Sequence, residues 1–255
     1  MTDPTQRFSS RVTNYVKYRP SYPAAIIDLL VAECGLTPDS IVADIGSGTG
    51  LLAELFLKAG NRVLGIEPNR EMREAGEQLL HRYHRFTSID ATAEATTLPD
   101  HSVDFVTAGQ AFHWFDRARV GAEFARVLKP RGWIVLVWNE RRLDSTPFLR
   151  AYEQLLRTYS TDYAEVDHKL IDHDVIQAAF PEISFTLRTF DDQQHFDREG
   201  VTGRLLSSSY APEAGHPNHA PMLAELAAIF EKCQQNGEIV FEYETRVNYG
   251  QMGSV

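Results

Sequence analysis

The chain reads as an α/β protein: a mostly parallel sheet of seven strands with an antiparallel final strand, plus a helical lid. Three observations predict it. From residue 40 onward, short apolar runs alternate with helical ones across connections of a few residues, as strand–helix–strand repetition in a parallel sheet requires. One run, Trp133–Trp138, is apolar throughout, which marks a strand covered on both faces. The first run, Val42-Ala43-Asp44-Ile45, ends in an acid and opens into Gly46-Ser47-Gly48-Thr49-Gly50, a loop with glycine at every second place.

The elements follow in order. Tyr15, Tyr18, Arg19, Pro20, Tyr22 and Pro23 precede an apolar helix over Ala24–Ala32. Ser40–Ile45 is the first strand. Leu51–Ala59 has helical spacing in Leu51, Leu52, Leu55 and Phe56 and stops at Gly60. Arg62–Ile66 is the second strand and Arg70–His81 a charged helix with Met72 and Leu79-Leu80 on one side. His84–Ile89, Val103–Ala108 and Trp133–Trp138 supply strands three to five, with a helix over Arg117–Leu128 and a turn at Lys129-Pro130-Arg131-Gly132. Beyond Asn139 the rhythm changes. Phe148–Tyr159, Arg198–Tyr210 and Pro221–Lys232 read as helices, and residues 211–219 as a mobile loop. Ile183–Phe190 and Ile239–Val247 alternate as strands and would form an antiparallel hairpin at the sheet edge. Residues 191–237 read as a lid over the strand ends, because so long a connection is unusual inside a compact domain. The expected organisation is an N-terminal gate and helix in 1–36, a cofactor-binding core in 37–140, a lid and substrate region in 141–237 that includes strand 183–190, and a final core strand in 238–255.

Composition narrows the class. With 255 residues, 43% hydrophobic and 24% charged, the chain has the make-up of one large globular domain, or of one domain with a lid. A net charge of −10 argues against a nucleic-acid surface. The charge is uneven: residues 151–255 hold 17 acids and 7 bases, while residues 1–150 hold 18 of each. The second part is therefore a different compositional region added to a nearly neutral core. No apolar run approaches the roughly 20 residues that span a bilayer. Met1-Thr2-Asp3-Pro4-Thr5-Gln6 lacks the basic-then-apolar order of a signal peptide. Cys34 and Cys233 are isolated and read as free thiols in a reducing cytoplasm. A monomer or a homodimer fits this composition.

Ligands of open α/β sheets bind at the carboxyl ends of the strands. The glycine loop lets backbone approach a ligand closely and feeds into a helix N-terminus. Asp44 points to a ligand with a cationic group, since a loop built only for phosphate gains nothing from a carboxylate upstream. Glu67 follows the second strand, where an acid binds both hydroxyls of a ribose. Asp90–Glu94 follows the third strand and would border an adenine. A dinucleotide dehydrogenase needs G-x-G-x-x-G. Here the third glycine falls one residue early, at Gly50, with Leu51 in its place, so the fingerprint is missed. A Walker loop is excluded because no Gly-Lys-Ser/Thr follows.

On these residues the chain resembles the class I S-adenosylmethionine-dependent methyltransferases, with their Rossmann-like sheet, and within them the small-molecule type 11 group that includes trans-aconitate methyltransferase-like proteins. The resemblance extends through Ala91-Thr92-Ala93-Glu94-Ala95, Leu98-Pro99, Ser102-Val103-Asp104, Gln110-Ala111-Phe112-His113-Trp114-Phe115-Asp116 and Leu128-Lys129-Pro130-Arg131-Gly132. The N-terminal Tyr18-Arg19-Pro20-Ser21-Tyr22-Pro23 also fits. In all it covers about residues 7–140. It implies S-adenosyl-L-methionine as cofactor. Gly46, Gly48 and Gly50 would pass under its methionine part, with Asp44 near the ammonium through water. Glu67 would take the ribose hydroxyls, Pro68 and Asn69 would flank the adenine, and Ala93 and Glu94 would close that pocket. Gln110 and Ala111 would line the sulfonium end. Ser47, Thr49, Met72 and Thr92 belong to the same expected cofactor contacts.

The expected reaction is methyl transfer to a small-molecule acceptor, a carboxylate or a hydroxyl. A carboxylate is already nucleophilic, whereas a hydroxyl often needs a base within hydrogen-bond reach. His113, beside Phe112, Trp114 and Phe115, is the candidate base; its alternative is packing in the cofactor wall. Tyr18, Arg19, Tyr22, Trp114 and Arg141 are the candidate substrate contacts, with Tyr15 part of the same gate. Arg141 and Arg142 are placed to meet an anionic acceptor or to form a solvated rim. Asp167-His168 and Asp172-His173-Asp174 superficially suggest a metal site, but their spacing suits one helix face poorly, and no metal is expected. Two alternatives stay open: an S-adenosylmethionine-binding protein without methyl transfer, and a nucleotide-cofactor oxidoreductase.

Overall fold

The apolar runs pair as seven strands in the order β3-β2-β1-β4-β5-β7-β6. They are β1 (Ile41–Ile45), β2 (Arg62–Ile66), β3 (Phe86–Ile89), β4 (Val103–Gly109), β5 (Leu128–Arg141), β6 (Phe185–Phe196) and β7 (Ile239–Gln251). This is a computed structural model, and it describes residues 12–163 and 173–253. The pairs β1–β2, β1–β4, β2–β3 and β4–β5 are parallel. β7 runs antiparallel to both β5 and β6. The order reverses between β1 and β4, and such a switch point opens a crevice at the carboxyl ends of the two strands.

Side chains alternate across the sheet and form two cores. Val42, Val63, Phe105, Val135 and Val137 face α2 (Ala25–Cys34) and α3 (Leu51–Lys58). Ala43, Ile45, Val106, Ile134 and Leu136 face α5 (Arg117–Val127) and α7 (His173–Ala179). α4 (Arg70–Leu80) begins at Asn69, whose side chain accepts a hydrogen bond from the Met72 amide and caps the helix. α2 ends at Gly35, whose φ of 68° suits a residue without a Cβ.

β6 and β7 outrun the sheet as a two-stranded ribbon, and this ribbon carries a third core. Ile239, Phe241 and Tyr243 of β7 pack with Phe196, with α6 (Pro147–Tyr159), α8 (Arg198–Leu206) and α9 (His219–Cys233), and with Tyr18 from α1 (Val12–Tyr18). The lid therefore has apolar interior of its own.

Several boundaries differ from the sequence reading. The sixth strand continues to Phe196, so the residues read as the start of the lid at 191 are strand. The segment Lys129–Gly132, read as a turn, lies within β5 and is accommodated by a register shift between Val103 and Phe105. α8 stops at Leu206 rather than at Tyr210. α1 was not anticipated, since seven residues is too short for periodicity to register. Among the described residues no helix is long and apolar enough to cross a membrane.

Candidate functional site

The carboxyl ends of β1, β2, β3 and β4 meet around one cavity. Gly46, Gly48, Glu67, Pro68, Asn69, Met72, Thr92, Ala93, Glu94, Gln110, Ala111 and Trp114, all read as site residues from sequence, line it together with Tyr15, Gly109 and Phe115. Segments far apart in the chain converge there because a parallel sheet delivers every strand's C-terminus to the same edge.

The loop after β1 tolerates only glycine at two of its positions. Gly46 has φ of 66°, and a Cβ there would lie 2.6 Å from the Ala111 Cβ. Gly50, with φ of 86°, starts α3, and a Cβ there would lie 2.4 Å from Leu80 Cδ1. Both clashes come on top of the left-handed backbone that L side chains avoid.

Glu67 fastens this loop to the second strand. Its Oε2 accepts from the Gly48 amide at 2.9 Å and its Oε1 from the Asn69 amide at 2.8 Å. Each carboxylate oxygen has capacity for another donor, so the group arrives fixed in direction with acceptors to spare. Burial raises its pKa, and the Asn69 and Gly48 amides oppose that rise. Arg73 donates to the Glu67 carbonyl at 2.9 Å and to Asp90 at 2.9 Å, joining the ends of β2 and β3.

Asp44 lies below the loop, 1% exposed and outside the cavity lining. Its Oδ1 accepts from Thr107 Oγ1 at 3.0 Å, while Oδ2 makes no hydrogen bond of ordinary geometry. Burial pushes its pKa up to about 7, opposed by the Thr107 hydroxyl and the Ala53 amide. Direct contact between Asp44 and a cavity ligand is therefore not what the geometry offers; it sets charge beneath the loop. Ser47, Thr49 and Gly50 likewise shape the loop without lining the cavity.

Gln110 closes the opposite wall. Its φ of 54° is rare for a residue with a Cβ, and such strain concentrates at functional sites. Its amide donates to the Val137 carbonyl at 2.9 Å and its Nε2 to the Asn139 carbonyl at 2.9 Å. Asn139 in turn donates to the Ser21 carbonyl and accepts from Thr245. Gln110 Oε1 is buried and has no hydrogen-bond partner. A buried acceptor without a donor is costly, and a ligand with an N–H group would satisfy it.

The candidate substrate residues separate. Trp114 lines the cavity; His113 does not, although its ring lies 4.6 Å from that of Trp114, tilted by 46°. The reading of His113 as a general base thus has no support from its position. Tyr22 is buried, and a Cβ on the cavity residue Gly109 would meet its hydroxyl at 2.5 Å. Tyr18 belongs to the lid core and donates to Glu199 at 3.1 Å, outside the cavity lining. Arg141 pairs with Glu153 at 2.6 Å and lies over the Tyr152 ring, so it is neither a solvated rim residue nor free for an acceptor. Arg142, by contrast, pairs with Asp191 at the exposed ribbon. Arg19 donates to the Ser207 carbonyl and lies over the ring of Tyr15, a cavity residue. Asp167, His168 and Asp172 lie outside the described residues. Among those described, no group of three or more His, Cys, Asp or Glu could hold a metal.

Sequence reasoning missed the strained backbone of Gln110 and the polar interior of the lid around Arg204. Neither carries a motif: the first is a dihedral angle, and the second joins Arg204 to Tyr243, 39 positions on.

Residues 43–136 match the family model described as a methyltransferase domain. An uncharacterised methyltransferase of Mycobacterium tuberculosis is 39% identical over 139 residues, covering 54% of each chain. An uncharacterised methyltransferase-like protein of Schizosaccharomyces pombe is 31% identical over 159 residues, 61% of this chain and 59% of its own. The match thus spans little more than half the length of these relatives. A solved protein of Anaeromyxobacter dehalogenans, described as a candidate type II methyltransferase, superposes with a TM-score of 0.67 at 22% identity, over 93% of this chain and 100% of its own. At that identity the likeness establishes the fold.

Proposed function

We propose that the protein, whose residues 43–136 match a methyltransferase domain, transfers a methyl group from S-adenosylmethionine to a small acceptor. The observation that carries the reading is Glu67, held by two backbone amides on the cavity wall with acceptor capacity left for a ribose diol. The cavity fits the rest of the cofactor. Gly46 and Gly48 leave backbone space for an aminocarboxypropyl chain, and the orphaned Gln110 Oε1 suits an ammonium donor. Pro68, Met72 and Ala93 offer apolar surface to an adenine, with Asn69, Thr92 and Glu94 at its edge. Asp44 contributes negative charge from beneath, matched to a ligand that carries positive charge.

When bound, S-adenosylmethionine supplies an electrophilic methyl on a sulfonium: the acceptor's lone pair forms the new bond to carbon, and the broken carbon–sulfur bond leaves its electron pair on sulfur. The chain's task is to position the acceptor and exclude water. Tyr15, Trp114 and Phe115 wall the cavity with rings suited to both. The carboxylates among the described lining residues are Glu67 and Glu94, at the ribose and adenine ends. With His113 outside the wall, no imidazole base faces the reaction from the described lining. An acceptor that is already nucleophilic, a carboxylate, suits this site better than a hydroxyl.

The experiment is calorimetric titration with S-adenosylmethionine, followed by a methyl-transfer screen over small carboxylic acids. Binding at 1:1 and turnover on an acid, both lost in Glu67→Ala, support the reading. Preference for NAD over S-adenosylmethionine would replace it with a dinucleotide enzyme.

A further inference from the structure

The lid interior holds more positive charge than its neighbours neutralise. Arg204 is 6% exposed, yet among the described residues none of its hydrogen-bond partners is a carboxylate. Its Nε donates to Tyr243 Oη at 3.1 Å, one terminal nitrogen reaches Ser208 Oγ at 3.2 Å, and its guanidinium lies 5.8 Å from the Phe241 ring centre. Arg19 meets the same turn, donating to the Ser207 carbonyl at 3.1 Å. Its Nε is buried without a hydrogen bond. Among the described residues it also has no carboxylate partner, and its pKa is lowered by burial first and by the charge of Arg204 second. Tyr152, 1% exposed, has a hydroxyl with no hydrogen bond and lies among the same groups. Arg141, over the ring of Tyr152, shows the contrast: it has its carboxylate in Glu153.

The unmet groups in this cluster share one chemical character, since guanidinium N–H and phenol O–H are donors. Two buried like charges are costly unless an anion stands between or beside them. Guanidinium forks match carboxylate geometry with two parallel hydrogen bonds. The cluster also connects to the cofactor cavity, because Arg19 lies 5.0 Å above the ring of Tyr15, which lines it.

We propose that Arg19, Arg204 and Tyr152 form an anion subsite that grips a carboxylate of the acceptor and so selects acidic substrates. The assignment rests on the methyl-transfer reading for its purpose, while its binding chemistry stands separately. It places substrate selection in the lid, against the acidic composition of that region: the net charge of the whole chain is −10, but the lid's interior is cationic.

The test is thermal unfolding of the full chain in rising concentrations of succinate, with succinamide as the neutral counterpart and sodium chloride holding ionic strength constant. Succinate is expected to raise the melting temperature saturably and succinamide to leave it unchanged. Arg19→Met and Arg204→Met are expected to weaken the succinate response at least tenfold. Tyr152→Phe, which keeps the ring and its packing, is expected to weaken it several-fold and guards against arginine variants that fail to fold. An equal succinate response in wild type and Tyr152→Phe, or none in wild type, overturns the subsite. A stronger response to inorganic phosphate than to succinate overturns the choice of carboxylate. S-adenosylhomocysteine titration of the same samples keeps the readings apart, since its failure would count against the methyltransferase reading alone.

Discussion

Asp44→Asn exchanges a buried carboxylate for a neutral residue of the same shape. Asp44 is lifted by burial from 3.8 to about 7 in the folded chain. A folded value above the unfolded one means that the native state holds the proton more tightly. The stability this group contributes is therefore fully present below about pH 4 and is lost as pH rises toward about 7. A shift of roughly 3 units corresponds to about 4 kcal/mol in all, a ceiling that local relaxation lowers. Most of it falls above pH 5, where the wild type is expected to lose about 2–3 kcal/mol relative to the Asn variant by pH 8. Thr107 can still donate to the remaining carbonyl oxygen, so the loop's support is kept. The assay is urea unfolding of both proteins between pH 5 and pH 8, without cofactor. The variant should gain on the wild type as pH rises, and the difference should level off above neutrality. Parallel pH profiles would refute the buried, high-pKa carboxylate. The same reasoning requires S-adenosylmethionine to bind wild type more tightly as pH rises through neutrality, and the Asn variant to lose that dependence.

Three further outcomes follow from the geometry. Gly46→Ala places a Cβ 2.6 Å from Ala111 on a backbone with φ of 66°; it should lower stability by roughly 1–3 kcal/mol and abolish cofactor binding, read by unfolding and calorimetry on the same sample. Arg141→Met removes one of three partners of Glu153, leaving Arg157 and Tyr163, and should destabilise the lid by about 1–2 kcal/mol with S-adenosylhomocysteine affinity unchanged; a loss of affinity without a loss of stability would mark Arg141 as a ligand contact. Glu67→Gln keeps the side chain's shape but loses its charge, and it should weaken S-adenosylhomocysteine at least tenfold in a titration at neutral pH.

The sheet was legible because its signal is local. Val63–Ile66 and Trp133–Trp138 carry no polar side chain but the two indole N–H groups, and a strand covered on both faces wants that. The cavity wall was legible because backbone chemistry fixes residue type: Gly46 has a left-handed dihedral that disfavours a Cβ, and Glu67 accepts from two backbone amides at the end of β2. The lid was legible only in outline. Residues 191–196 (Asp-Asp-Gln-Gln-His-Phe) alternate in burial but not in residue type, so no apolar period marks them as strand. Tyr18 and Arg141 look like ligand contacts from sequence because aromatic and basic residues near a site invite that reading. In the fold, Glu199 and Glu153 claim them from 181 and 12 residues away, distances at which no spacing rule operates. His113 illustrates the same limit on a shorter scale, since one step along a 3-10 turn separates it from Trp114 in the cavity wall.

The most direct test of the central claim is calorimetric titration of the full chain with S-adenosylhomocysteine and, in parallel, with NAD. The account predicts 1:1 binding of S-adenosylhomocysteine, weakened about 100-fold or more by Glu67→Ala through the loss of two charge-assisted hydrogen bonds, and no competing heat from NAD. Binding of NAD in preference, or S-adenosylhomocysteine binding that Glu67→Ala leaves intact, would contradict it.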